Sequence, residues 1–222
     1  MSDYPTGYHS PDPSRSQQWK TRGLGVLTGA LGAAVIMVVM LAAMWLLEFI
    51  DYGLGGALDY YGIIAHNPDH LSGILFAPFL HAGFGHLMAN SLPLLILGFL
   101  AAFRGLGRFA AASLIIILVS GVGVWLFTAA GYITVGASGL VFGYFGFVVA
   151  RGLFDRRVLD IAVGVGVAIT YYSLLEGLLP NQPGISWQGH LFGLIGGVVA
   201  AWVLRRKRPE VTRRPSPYSL DY

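Results

Sequence analysis

Five polar side chains stand out among the apolar stretches of this 222-residue chain as candidates for chemistry: His81, His86, Asn90, Ser138 and His190. A serine hydroxyl becomes a strong nucleophile only when an adjacent base takes its proton, and histidine is the commonest such base. Attack on a carbonyl also creates an oxyanion, which needs preorganised N–H donors. An asparagine amide, a histidine ring N–H and the backbone N–H of a serine at a helix start are suitable donors. Ser138 and His190 are therefore candidates for nucleophile and base, and His86 and Asn90 for oxyanion donors. His86 and Asn90 are four residues apart, so on a helix they share a face. Each residue alone also has a plainer reading. A serine in an apolar helix commonly bonds its own backbone, and a lone histidine can simply line a bundle interior. Gly136-Ala137-Ser138-Gly139 is not the Gly-x-Ser-x-Gly elbow of soluble hydrolases, because position 140 is Leu.

The elements that must position these residues are membrane helices. Hydrophobic residues make up 55% of the chain and charged residues 11%, against about 25% charged in a soluble domain. The mean hydropathy is +0.65. There is no cysteine, which excludes disulfides, thiolate catalysis and thiolate metal sites. The charged residues leave apolar runs at 24–47, 78–103, 109–128, 135–150, 158–175 and 187–204. One span needs about 20 such residues. The pattern predicts an all-α, six-transmembrane-helix bundle over 24–204, between a flexible tail at 1–23 and a basic tail at 205–222. The first run is longer than a signal-peptide core, and no small-residue cleavage site follows it. The long loop 48–77 carries acidic and aromatic residues and is expected to lie on the membrane surface. Span four is short, so its helix is expected to begin below the surface after a dipping segment.

With the N-terminus placed in the cytoplasm, all 14 Lys and Arg fall on cytoplasmic segments. That is the positive-inside pattern, and it places both termini inside. The net charge of +3 is thus explained by topology and implies no nucleic-acid partner. Spans two, four and six then run from outside to inside. At roughly 1.5 Å per residue, His86, Ser138 and His190 all lie about 5–12 Å below the outer boundary. Gly139, Gly143 and Gly146 form a stripe on span four, and Gly189, Gly193 and Gly197 one on span six. Small-residue stripes let helix backbones approach closely, which would bring Ser138 within hydrogen-bond reach of His190. The shared depth of polar groups on three helices is harder to explain blandly than any one of them.

The segments His81-Ala-Gly-Phe-Gly-His86-Leu-Met-Ala-Asn90, Gly136-Ala-Ser138-Gly139 and Gly189-His190-Leu-Phe-Gly193 together resemble the rhomboid proteases in order, spacing and placement. The resemblance spans roughly 24–204. It implies an intramembrane serine endopeptidase of bacterial cell-membrane type that cuts membrane-spanning substrates near their outer end. By it, Ser138 is the nucleophile and His190 the general base of a dyad without a carboxylate. His86, Asn90 and the backbone at Gly136 would form the oxyanion site, and His81 would support the active-site mouth. Phe142 stands four residues after the nucleophile, where Tyr is common, and would stack on His190. The chain departs from many rhomboids in lacking the Trp-Arg pair of the first outer loop: residues 48–77 hold neither type.

Other functions fit these residues less well. A catalytically inactive rhomboid-like binding module, of the derlin kind, would not need Ser138 and His190. A membrane zinc peptidase would show His-Glu-x-x-His, which is absent, and no carboxylate accompanies these histidines. An ion-coupled transporter lacks carboxylates at the span centres. No metal or cofactor is therefore expected. The expected partners are the lipid bilayer and transmembrane protein substrates; the oligomeric state is left open.

Overall fold

The computed structural model describes residues 15–180, 182 and 184–206. Of the expected tails at 1–23 and 205–222, residues 1–14 and 207–222 lie outside the described residues. Helix α1, Arg15–Gly53, begins nine residues before the apolar run and stops where Gly53, Gly55 and Gly56 make further helix unfavourable. It buries Ala33, Met37 and Met44 and leaves Val35, Val38, Val39 and Leu46 exposed. A one-sided apolar contact with apolar residues all round suits a helix surrounded by lipid.

The long outer segment is short-range structure rather than a simple loop. It holds 3-10 turns at Ala57–Tyr61, Pro68–His70 and Ala77–Phe79, the four-residue helix α2 at Gly73–Phe76, and strand β1 at Ile63–Ile64. β1 pairs antiparallel with β2, Ile133–Thr134, with Ile63 opposite Thr134. This small sheet is the one departure from an all-α chain among the described residues. The His66 ring donates through Nε2 to the Thr128 carbonyl at 3.0 Å, and Trp125 Nε1 donates to the Asn67 carbonyl at 3.1 Å. The outer segment is thus pinned to the stretch that leads into Ser138.

Helices α3 (Phe84–Ala102), α4 (Leu106–Phe127), α5 (Ser138–Asp155), α6 (Val158–Thr170) and α7 (Trp187–Val203) complete the bundle. The expected fifth span is broken: α6 ends at Thr170, and a 3-10 segment, Tyr172–Leu178, continues it at a bend of 62°. The expected fourth span starts on Ser138 itself and extends to Asp155. Pro93 sits inside α3.

Three helices are long and apolar enough by themselves to cross a membrane, at Lys20–Gly53, Phe84–Ala102 and Leu106–Phe127; the bent pair raises the number to four. α7 is apolar but 17 residues long, and α5 carries Arg151 and Asp155 near one end.

α5 is the centre of the bundle. Every residue from Leu140 to Val148 is buried, as expected of a helix apolar on all faces. Its closest neighbour is α7. A methyl placed on Gly193 would run into the Gly139 carbonyl, and one on Gly197 into the Gly143 carbonyl. One on Gly146 would lie 2.7 Å from the Leu194 carbonyl. The two glycine stripes therefore face each other at backbone contact, and dispersion between closely approached backbones holds the pair without any need for large side chains.

Candidate active site

The site is built where β2 turns into α5. Gly136 has φ of 124°, a region that residues with a Cβ rarely adopt. Its N–H donates to the Ala77 carbonyl at 2.9 Å, tying this turn to the segment before α3. The His86 ring lies directly over it: a methyl on Gly136 would stand 2.5 Å from His86 Cε1. One residue on, the Ala137 N–H donates to His81 Nε2 at 3.2 Å. His81 is 2% exposed, so it acts as a buried acceptor for the turn. The His81 and His86 rings meet edge to face, with centroids 5.2 Å apart.

Ser138 is the first residue of α5. The first N–H groups of a helix lack intrahelical acceptors, and those of Ser138, Gly139 and Leu140 have no other acceptor among the described residues. The helix thus opens with free donors beside the serine hydroxyl. Asn90 is 8% exposed on α3, and its amide nitrogen donates to the His86 carbonyl at 3.1 Å, one turn back. That bond uses one of its two amide hydrogens.

His190 arrives from the other side, on the first turn of α7. Ser186 caps that helix by accepting from the Gly189 N–H at 3.2 Å. The Gly189 carbonyl accepts from Ser120 Oγ of α4 at 3.0 Å. The His190 ring stacks on Phe142, with centroids 4.1 Å apart and planes 10° from parallel. Its Nδ1 lies 2.8 Å from the Gly177 carbonyl. A carbonyl only accepts, so Nδ1 carries the proton and Nε2 keeps its lone pair. Ser138 Oγ makes no hydrogen bond to His190 in this structure, although their helices touch at Gly139 and Gly193. Catalytic hydrogen bonds are often long without substrate and tighten when it binds. A cavity of about 30 Å³ opens beside Ser138, lined by Ala77, Pro78, Ser120, Gly136 and Gly189 among others.

The arrangement joins a serine at a helix start, an imidazole with a bare nitrogen, and a second histidine over a glycine turn. The seven candidates from the sequence lie on or around the first turns of α3, α5 and α7 and the turns that lead into them. Ser120, Ser186, Gly177 and the Ala137 N–H are contributors that the sequence did not single out. They act through backbone atoms or as small hydroxyls, which carry no recognisable pattern.

The sequence profile of the Rhomboid domain matches residues 68–207, a stretch that holds all of these residues. The chain belongs to the rhomboid family. An uncharacterized protein of Mycobacterium tuberculosis is 41% identical over 199 residues, covering 86% of this chain and 78% of that protein. One of Mycobacterium leprae is 39% identical over 201 residues, covering 87% and 75%. The rhomboid protease GluP of Bacillus subtilis is 33% identical over 129 residues, which is 56% of this chain and 24% of that protein. With its apolar helices, this rhomboid is an integral membrane protein with bacterial relatives.

Proposed function

We propose that this rhomboid is an intramembrane serine endopeptidase, in which Ser138 attacks a peptide carbonyl and His190 accepts its proton. The observation that carries this reading is the state of His190. Its Nδ1–H is committed to the Gly177 carbonyl and its ring is clamped on Phe142, which leaves a bare Nε2 on the helix packed against the start of α5. In the reaction, Ser138 Oγ bonds to the substrate carbonyl carbon as its proton passes to Nε2. His190 then returns that proton to the leaving amine. The N–H groups opening α5, the His86 ring and the Asn90 amide are the donors for the oxyanion. Water, activated by the same histidine, releases the acyl-enzyme.

The six apolar runs and the 14 basic residues favour six membrane crossings with both termini in the cytoplasm and the site opening to the outer face. α5 and α7 would then be short crossings shielded by the rest of the bundle. A substrate helix must unwind before its carbonyls can be attacked, and unwinding in hydrocarbon strands backbone groups without partners. A site one or two turns below the outer surface lowers that cost. The 30 Å³ cavity has room for a water or two, or for a small side chain, which favours a small residue at the cut.

A second reading, a binding module without hydrolysis, is favoured by the absence of a Ser138–His190 hydrogen bond. Labelling with a serine-reactive fluorophosphonate in detergent separates the two. The hydrolase reading expects label on the wild type and none on Ser138→Ala; an unlabelled, folded wild type overturns it. Because the chain has no cysteine, topology can be read from single introduced ones. Ser72→Cys should react with an impermeant maleimide from outside, and Ser216→Cys only after the membrane is opened. The reverse pattern overturns the orientation.

A further inference from the structure

The segment Tyr172–Leu178 looks like a connector between α6 and α7, yet it ends against the His190 ring. Soluble serine proteases use a buried carboxylate to hold the histidine in its reactive tautomer. Here the partner of Nδ1 is a backbone carbonyl, that of Gly177, at 2.8 Å. The neighbouring carboxylate, on Glu176, belongs to an exposed residue. The carbonyl accepts and cannot donate, so it selects one tautomer as firmly as a carboxylate would, without placing a charge in the membrane.

The residue type matters as much as the carbonyl. A methyl on residue 177 would stand 2.9 Å from His190 Nδ1 and 2.9 Å from Phe142 Cζ. Both distances are well inside van der Waals contact. Any side chain at 177 must therefore push the imidazole off its carbonyl, off its aromatic partner, or off both. The ring is stacked face-on against Phe142 of α5 and held at its Nδ1 edge by the Gly177 carbonyl, with the α7 backbone as its anchor.

We infer that Gly177 is a positioning residue for the proposed protease: its carbonyl fixes His190 as the Nδ1–H tautomer, and its missing side chain lets the ring keep both that bond and the Phe142 stack. The base is carried on α7 but oriented from the α6 side of the bundle. The inference rests on the hydrolase reading above, since a tautomer has no consequence for a protein that does no proton transfer.

The test uses the full chain in detergent, labelled with 15N only in histidine, with His190 assigned by comparison with His190→Gln. In the wild type at a pH where the ring is neutral, Nδ1 should show an N–H resonance and Nε2 the resonance of an unprotonated nitrogen. In Gly177→Ala the two nitrogens should move towards a mixture of tautomers. Turnover should fall by about 10²-fold, short of the roughly 10⁴-fold cost of a fully wrong tautomer in a soluble triad, with KM within about twofold. An Nε2–H tautomer in the wild type overturns the inference, and that spectrum decides the matter even if Gly177→Ala does not fold. So does a folded Gly177→Ala that keeps the Nδ1–H tautomer, whatever its rate. Failure of the hydrolase reading looks different: the wild type would resist fluorophosphonate while its His190 spectrum stayed as expected here.

Discussion

The two ends of α5 hold two buried polar clusters with opposite logic. At the C-terminal end, Asp160 of α6 accepts from Arg104 at 2.8 Å and lies 3.5 Å from Arg151, while Arg151 also donates to the Leu100 carbonyl at 3.3 Å. The Arg151 guanidinium stands 5.6 Å from the Phe147 ring centre. Opposite charges there are brought together, one carboxylate serving two guanidinium groups. At the N-terminal end the groups are histidine, serine and asparagine, and their bonds run mainly to backbone atoms: His81 to Ala137, His190 to Gly177, Asn90 to His86. Those bonds orient the side chains and leave the atoms that would react without partners. A buried ion cluster is useful for stability only when its charges are satisfied. A catalytic cluster must keep some groups unsatisfied until substrate arrives.

The comparison predicts that damage at the N-terminal end of α5 removes activity and spares the fold, whereas damage at its C-terminal end does the reverse. The largest effect is expected at Ser138. Ser138→Ala should abolish cleavage of a transmembrane substrate and leave the unfolding curve in SDS unchanged, and His190→Ala should do the same. The double variant should be no worse than either single one, because the pair acts as a unit. Retained cleavage in purified Ser138→Ala would end the proposed mechanism.

Asp160→Ala should come next, with its effect on stability. It leaves Arg151, whose side chain is 8% exposed, without its carboxylate, and Arg104 with more access to solvent at 25%. Removing one partner of a buried ion pair costs about 3–5 kcal/mol, and the more exposed Arg104 puts this case at the low end. The unfolding midpoint should fall while turnover per folded molecule holds. Equal loss of both would show that the two ends of α5 are coupled and break the comparison.

His86→Ala is expected to lower turnover by about 10²-fold, the cost of one oxyanion donor in a soluble serine protease. Substrate binding should change little, since the contact strengthens only in the transition state. A rise in KM with constant turnover would move His86 from transition-state donor to binding residue. The smallest expected change is at Phe142. An aromatic stack contributes about 0.5–1.5 kcal/mol beyond burial, so Phe142→Leu should slow turnover by roughly tenfold or less, and Phe142→Tyr should be close to neutral. A larger loss in Phe142→Leu would mean that the ring also sets the course of the Gly177 segment.

Much of the site is visible in the linear chain because membranes punish polarity. Ser138 and His190 stand out against apolar surroundings, and both fall within the first turn of their helices, as the run boundaries predict. The glycines at 139, 143, 193 and 197 announce their contact through helical spacing. The bend after Thr170 is less visible, since the apolar run continues through it and hydropathy reports burial in lipid rather than direction. The early start of α1 was hidden for the converse reason: its first turns are polar and carry no apolar signal. The β1–β2 pair was missed because each strand is only two residues long.

The sequence by itself determined that the chain is a membrane protein, where its apolar runs lie, and which side chains have the chemistry for acyl transfer. These follow from side-chain type and helical period, which are local properties. Only the tertiary structure decided that His81 holds the Ala137 N–H, that His86 lies over Gly136, and that Gly177 presents its carbonyl to His190. Each of these pairs a side chain with backbone 13 to 56 residues away. Every residue has a carbonyl and nearly every one an N–H, so no sequence pattern marks the ones that matter; only the packing of α3, α5 and α7 selects them.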